Sequence, residues 1–212
     1  MDTYITEEQQ IEVIKNWWKE NGISVITGTA LGLAIVFGIR AWNDWRTGQS
    51  EAASQIYQQI MIGQKKTSPI VVQQAGTRLF EEYPNSIYAI LGALAQAAGF
   101  IEKGDPASAR GRLEWVILQS ADPQIKALAQ LRLGWLFLDQ GDPERALTLS
   151  TTVASAGFPA EADELRGDVL RLQGDRKGAL SAYQSAIAKL PPNSGRTTDL
   201  RMKIDDLGSD AG

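Results

Sequence analysis

The 212-residue sequence contains no cysteine and no histidine. Without these residue types the chain has no thiol nucleophile, no serine–histidine–aspartate triad and few of the side chains that hold zinc or haem. We therefore expect no bound metal and no other cofactor. The missing cysteines leave the redox compartment open, because such a chain is compatible with an oxidising or a reducing environment.

Clustered positive charge is also missing. The chain has 21 basic and 25 acidic residues, and the 17 basic residues after position 46 are interspersed with 19 acidic ones. Nucleic acid is therefore not a predicted partner, because its binding requires a basic surface. Phosphate-binding loops, nucleophile elbows and metal-ligand spacings are missing as well. The neighbouring acids Glu81–Glu82 and Asp205–Asp206 point apart on a helix. We predict neither an enzyme nor a small-molecule substrate.

One long stretch has no charge: residues 21 to 39, "NGISVITGTALGLAIVFGI". As a helix it would be about 28 Å long, which matches the hydrocarbon core of a bilayer. Four of the six tryptophans flank it, at positions 17, 18, 42 and 45, where headgroups would lie. A cleaved signal peptide fits poorly, because "RAWNDW" places aromatic residues where a small-residue cleavage site is needed. The sequence predicts a transmembrane anchor over residues 21–45 after a tail of residues 1–20. A buried helix of a soluble protein is the alternative.

The charges around this anchor say little about its orientation. Lys15, Lys19 and the N-terminal amine oppose Arg40 and Arg46, so the positive-inside rule favours a cytoplasmic N-terminus only weakly. Within the anchor, Gly28 and Gly32 form a G-x-x-x-G pair, which lets a second membrane helix approach closely. Glycine is also common in membrane helices for other reasons, and that explanation stays open.

The rest of the chain contains an internal repeat. "GDPASA", "GDPERA" and "GDRKGA" begin at Gly104, Gly141 and Gly174, at intervals close to the 34 residues of tetratricopeptide (TPR) helical hairpins. The glycines are predicted to end one helix in a left-handed cap, and the aspartates to cap the next. Small residues recur seven positions before and five after each glycine, as close helix crossing requires: Ala97, Gly134, Gly167, Ala109, Ala146 and Ala179. An unrelated set of helical hairpins with Gly-Asp turns is the alternative.

The predicted fold is all-α, with a single N-terminal transmembrane helix followed by a TPR-like α-hairpin solenoid. The TPR-like domain is expected over residues 47–212. It comprises a degenerate hairpin at 49–84, repeats at about 86–120, 123–157 and 160–191, and a capping helix at 196–207. Proline follows an N-cap residue at Ser68, Asp105, Asp122 and Asp142, which is typical of helix starts. Leu200, Ile204 and Leu207 form an apolar stripe that should cover the last repeat.

A partner-binding groove is expected along the first helix of each hairpin. Its predicted lining is apolar in the middle repeat and acidic in the third: Leu128, Leu131, Trp135 and Leu138, then Glu161, Glu164 and Asp168. Such a surface would suit unfolded or amphipathic segments. The alternatives are ordinary core packing for Trp135 and a solvated face for the three acids.

The order of these segments resembles the YfgM family. The resemblance covers essentially the whole chain, beginning with the tail segment "IEVIKNWWKENG". It is strongest in "LRLGWL", "ELRGDVLRLQGDRKGALSAYQSAI" and "MKIDDL". It implies a bacterial inner-membrane protein with a cytoplasmic N-terminus and periplasmic repeats, associated with the SecYEG translocon and with PpiD, a membrane-anchored chaperone. The implied role is to help pass newly translocated, still unfolded proteins to periplasmic chaperones. Without the resemblance, a scaffold that organises an envelope or cell-division complex around one dedicated partner fits the residues equally.

Overall fold

The structure is a computed structural model that describes residues 7–65 and 68–209. These two ranges contain α-helices and no β-strand, which confirms the all-α prediction. Residues 1–6 of the predicted tail and the last three residues of the predicted domain lie outside them. The helices are α1 (Glu7–Lys65), α2 (Pro69–Glu82), α3 (Ile87–Glu102), α4 (Pro106–Gln119), α5 (Pro123–Asp139), α6 (Pro143–Ser155), α7 (Pro159–Leu172), α8 (Arg176–Lys189) and α9 (Arg196–Ser209).

The chain divides into two compact units, Met1–Glu51 and Ala52–Gly212. In the first unit α1 runs through the uncharged stretch without a break. Among the described residues, α1 is the one helix long and apolar enough to cross a membrane, and only 6% of its most apolar window is buried. This exposure contradicts the alternative of a buried core helix. Tryptophan rings lie in pairs at the two ends of the stretch, with centroids 6.4 Å apart for Trp17 and Trp18 and 5.3 Å for Trp42 and Trp45.

The second unit begins with the last part of α1 and α2, which pack against α3. Ile56, Ile60 and Leu79 are buried in their shared core. Gln96 of α3 crosses to α2, where its Nε2 donates to the carbonyl oxygen of Val72 at 3.3 Å. Gly76 makes room for this amide, since a Cβ there would lie 1.8 Å from Nε2. Ser68 stands at the N-cap of α2, but its side chain makes no capping hydrogen bond.

The turns within the three following hairpins have the predicted geometry. Gly104, Gly141 and Gly174 adopt φ of 70°, 77° and 82°, the left-handed region that glycine occupies without strain. The aspartate after each glycine accepts a hydrogen bond from a backbone N–H of the next helix, with donor–acceptor distances of 2.9–3.1 Å. These contacts confirm the interpretation of the Gly-Asp motif as a paired C-cap and N-cap.

The small residues lie where helices cross, within a hairpin or between neighbouring hairpins. Ala109, Ala146 and Ala179 are completely buried. At Gly167 an added Cβ would lie 2.4 Å from Cε1 of Tyr183 on the paired helix α8. At Gly134 it would lie 2.5 Å from Cδ2 of Leu165 on α7 of the next hairpin, and 3.7 Å from Cβ of Leu149 on the paired helix α6. The predicted repeat register is therefore confirmed at the positions that control how closely the helices approach.

The helix α9 completes the second unit. Leu200 is 1% exposed in a cluster with Ala179, Tyr183 and Ala186 of α8. Ile204 and Leu207 pack against the same cluster, which confirms the predicted apolar stripe. The apolar surface of the third hairpin is thus covered by a terminal helix, as a solenoid requires.

Candidate functional site

The first helices of the three hairpins, α3, α5 and α7, run parallel to one another, because the short turns make each intervening helix antiparallel to its neighbours. A groove of about 400 Å³ lies between the C-terminal halves of α3 and α5. Its lining residues are Ala97, Ala98, Ile101, Glu102, Leu113, Arg132, Trp135, Leu136 and Asp139. This groove is the candidate site.

The floor of the groove is apolar and its walls are partly open to solvent. Ala97, Leu113 and Leu136 are almost completely buried at its base. Ile101 is 43% exposed on the α3 side, and the half-buried Trp135 stands on the α5 side. An aromatic ring and a branched side chain above an apolar floor form the type of pocket into which a partner inserts an apolar side chain.

One end of the rim of the groove is negatively charged. Glu102 and Asp139 are exposed and are the last residues of α3 and α5. Helix C-termini carry partial negative charge, which basic residues in the last turn usually offset. Neither α3 nor α5 has such a residue, whereas α7 has Arg171 and α8 has Lys189. Two carboxylates and two helix ends of the same sign therefore border one end of the groove.

Trp135 is held in place by the neighbouring repeat. Its indole Nε1 donates to Oδ2 of Asp168 at 3.2 Å. Asp168 also accepts from the hydroxyl of Tyr183 at 2.9 Å and from Nζ of Lys203 at 2.8 Å. Burial, together with the adjacent Asp168 carboxylate, raises the pKa of Tyr183, so its hydroxyl stays protonated and able to donate.

The acids predicted at the other end of the groove are paired with α9. Arg196 donates to Glu161 at 2.7 Å and also to Glu164, while Nζ of Lys203 donates to Glu164 at 2.9 Å. Burial would lower the pKa of Lys203, but its bonds to Asp168 and Glu164 raise it above the ordinary value. The lysine is therefore held in its charged form.

For Glu164 and Asp168 the interpretation as a solvated face is wrong, because they are only 8% and 7% exposed. The side chain of Glu161 is 21% exposed. The cause of this burial is α9, whose cations come from 32 to 39 residues further along the chain. Nor is this part of the predicted groove open, since α9 occupies it. Of the three acids, Asp168 bonds Trp135 directly and so supports the wall that this side chain forms.

The apolar residues predicted for the groove have different environments. Leu131 is 2% exposed and belongs to the core. Leu128, Leu138 and Trp135 are partly buried and pack against that core, and of these four Trp135 alone lines the groove. Trp135 therefore both packs against the core and lines the groove, and its role in partner binding stays a prediction.

Sequence reasoning missed Ile101 and the two rim acids. Glu102 and Asp139 each stand two residues before a repeat glycine, so their shared register was a signal that could have placed them together. At the predicted membrane contact, the surface of α1 is unobstructed, because a Cβ added at Gly28 or Gly32 would have no atom within 4 Å.

Comparisons with known proteins agree with this architecture. Residues 15–209 match the model of a family described as a tetratricopeptide repeat-like domain. The chain is 28% identical to a protein of Escherichia coli strain K12 named "Ancillary SecYEG translocon subunit", over 98% of this chain and 99% of that protein. Proteins with the same name from Haemophilus influenzae and Neisseria gonorrhoeae are each 29% identical to it. The alignment with the Haemophilus influenzae protein covers 86% of this chain and 89% of that protein. The alignment with the Neisseria gonorrhoeae protein covers 98% of this chain and 100% of that protein.

Proposed function

Because this chain belongs to the tetratricopeptide repeat-like domain family, and relatives confirm its predicted resemblance to YfgM, we propose that it is an ancillary, non-catalytic subunit of a SecYEG translocon. The observation that carries this proposal is the length of the alignments, which include the apolar helix as well as the repeats. A repeat domain alone would suggest only some protein–protein interaction.

The proposed location is the bacterial inner membrane, crossed once by α1, with the N-terminus in the cytoplasm and the repeats in the periplasm. The exposed apolar surface of α1 and its two tryptophan pairs support the membrane span. Gly28 and Gly32 give the span a smooth face on which another membrane helix can pack. We propose that this face contacts a membrane partner.

The repeats are proposed to contact translocated polypeptides and a membrane-anchored chaperone of the PpiD type. The groove between α3 and α5 supports this role, because its walls expose apolar surface that a folding intermediate could cover. Of the residues predicted for binding, Trp135 is proposed to make contact directly, with Leu128 and Leu138 beside it. Glu161, Glu164 and Asp168 are proposed to act indirectly, by supporting Trp135.

Photocrosslinking in cells tests this function. A photoreactive amino acid is placed at Ile101 in the groove and, as a matched control, at Leu118, which is 76% exposed on α4 and does not line the groove. We expect position 101 to yield many translocated proteins and position 118 few. A single dominant product from position 101 would favour a scaffold with one dedicated partner.

The membrane contact and the orientation require separate measurements. Gly28→Leu combined with Gly32→Leu should reduce co-purification with SecYEG, because larger side chains keep helices apart, while crosslinking from position 101 to other partners persists. Gly38→Leu is the control, since it places a leucine in the same span at a position that is also open but lies outside the G-x-x-x-G pair. A C-terminal alkaline phosphatase fusion should be active; an inactive fusion would overturn the proposed orientation.

A further inference from the structure

We propose that the groove between α3 and α5 binds one large apolar side chain of a partner segment that carries a lysine or arginine about one helical turn away. This inference rests on the proposed function and names the chemistry of the segments that the repeats recognise. Three features of the described residues carry it: the shape of the groove, the charge of its rim, and the way in which α9 fills the adjoining surface.

The groove has the size and lining of a site for an apolar side chain. Its volume of about 400 Å³ lies in the range of small-ligand pockets. Leu113 and Leu136 close its base, while Ile101 and Trp135 remain partly open on either side. The indole is fixed by Asp168, so binding costs little ordering of this wall.

The charged groups are arranged in order along the groove. Arg132 lies two helical turns before Asp139, roughly 10 Å along α5, and its guanidinium donates to the carbonyl oxygen of Leu94 at 3.5 Å. Glu102 and Asp139 stand at the opposite end, where α3 and α5 terminate without a base in their last turns. Lys103 follows at the C-cap of α3 but does not line the groove. A cation is therefore favoured beside the two acids.

The adjoining surface shows how this protein itself fills such a site. On α7, the carboxylates of Glu164 and Asp168 receive Nζ of Lys203 from α9. Three residues earlier on the same helix, Leu200 is buried in the apolar cluster beside them. Leucine and lysine one turn apart on a helix thus satisfy an apolar pocket with an acidic border, and the groove between α3 and α5 offers the same two elements.

Peptide binding to the full-length chain in detergent micelles tests the proposal. The probe is a fluorescein-labelled peptide of alanine and glutamine with one leucine and one lysine three residues later. Matched probes replace the leucine by serine or the lysine by glutamate. Fluorescence anisotropy should show binding of the first probe, at least tenfold weaker binding of the glutamate probe and none of the serine probe. Equal binding of the lysine and glutamate probes would overturn the charge argument.

Variants of the protein locate the site. Ile101→Ser should abolish binding, whereas Leu118→Ser, which removes an exposed leucine outside the groove, should leave it unchanged. Glu102→Gln with Asp139→Asn should remove the preference for lysine over glutamate and leave folding intact, because both residues are exposed. Identical binding by Ile101→Ser would refute the site. The chain could co-purify fully with SecYEG and yet not show the expected peptide binding. That result would reject this inference alone and leave the proposed function standing.

Discussion

Replacing Gly167 by alanine should destabilise the third hairpin, although alanine is the better helix former. The new Cβ would lie 2.4 Å from Cε1 and 2.5 Å from Cδ1 of Tyr183. That ring is completely buried and its hydroxyl is tied to Asp168 at 2.9 Å, so it has little room to move aside. Overpacking of this kind costs about 1–3 kcal/mol, and the gain in helix propensity offsets about 1 kcal/mol of it. We expect a net loss of stability of up to about 2 kcal/mol.

Two other glycines provide matched comparisons. Gly111 lies inside α4 with no atom within 4 Å of an added Cβ, so Gly111→Ala should stabilise the protein by about 0.5–1 kcal/mol. The stability of Gly134→Ala should lie between those of Gly167→Ala and Gly111→Ala. Its Cβ would meet only one atom at short range, Cδ2 of Leu165 at 2.5 Å, which is the end of a flexible side chain. Ala97 already occupies the equivalent position in the first repeat and is buried there.

Urea unfolding of the full-length chain in micelles, followed by far-ultraviolet circular dichroism, measures these differences. Changes in the free energy of unfolding are valid for variants that keep the slope of the transition, because the slope reports the surface exposed. The reasoning would be refuted if Gly167→Ala stabilised the protein as much as Gly111→Ala. Tyr183 could not then be packed against that crossing.

Three further changes are checked by the same titration. Ala146→Leu should destabilise by about 1–3 kcal/mol, because this alanine is completely buried at a helix crossing; an unchanged transition would contradict the register. Lys203→Met should cost about 3 kcal/mol, since it leaves two buried carboxylates without their ammonium partner. The same change should shift the indole proton resonance of Trp135. Lys203→Arg, which keeps the positive charge, should leave that resonance largely unshifted. Burial would raise the pKa of Asp163, but hydrogen bonds from Lys189 and Ser185 hold it below its ordinary value. Its contribution is therefore present at neutral pH and lost as the pH falls through that lowered pKa. Asp163→Asn should be less stable than the parent at pH 7, and its stability should change less as the pH falls below about 5; parallel profiles would contradict the assignment.

The repeat could be predicted from the sequence because its signals are local. A glycine in the left-handed region and the aspartate after it satisfy backbone groups within a few residues, so neighbouring letters reveal them. The small residues at helix crossings follow the same register, since each hairpin packs first against itself. For the caps and for the crossings within a hairpin, residues that are close in space are also close along the chain.

The environment of the acids could not be predicted in the same way. Glu164 and Asp168 resemble surface residues in the sequence, and what buries them is a helix that begins more than twenty residues later. The same limit applies to the groove, whose two walls come from α3 and α5 in different repeats. Ile101 and Trp135 meet there because of how successive hairpins stack, and stacking depends on all the crossings together.

The hydrogen-bond partners of Asp168 become available one after another while the chain is synthesised. Chains are made from the N-terminus, so Trp135 is already present when Asp168 appears, whereas Tyr183 follows 15 residues later and Lys203 35 residues later. Until then the carboxylates that Lys203 serves lack their ammonium partner, which is costly for buried charges. A chain that ends before α9 would carry a last repeat that opens more easily than the others and reaches proteases first. A chain that contains α9 therefore has a more protected last repeat than one truncated before this helix.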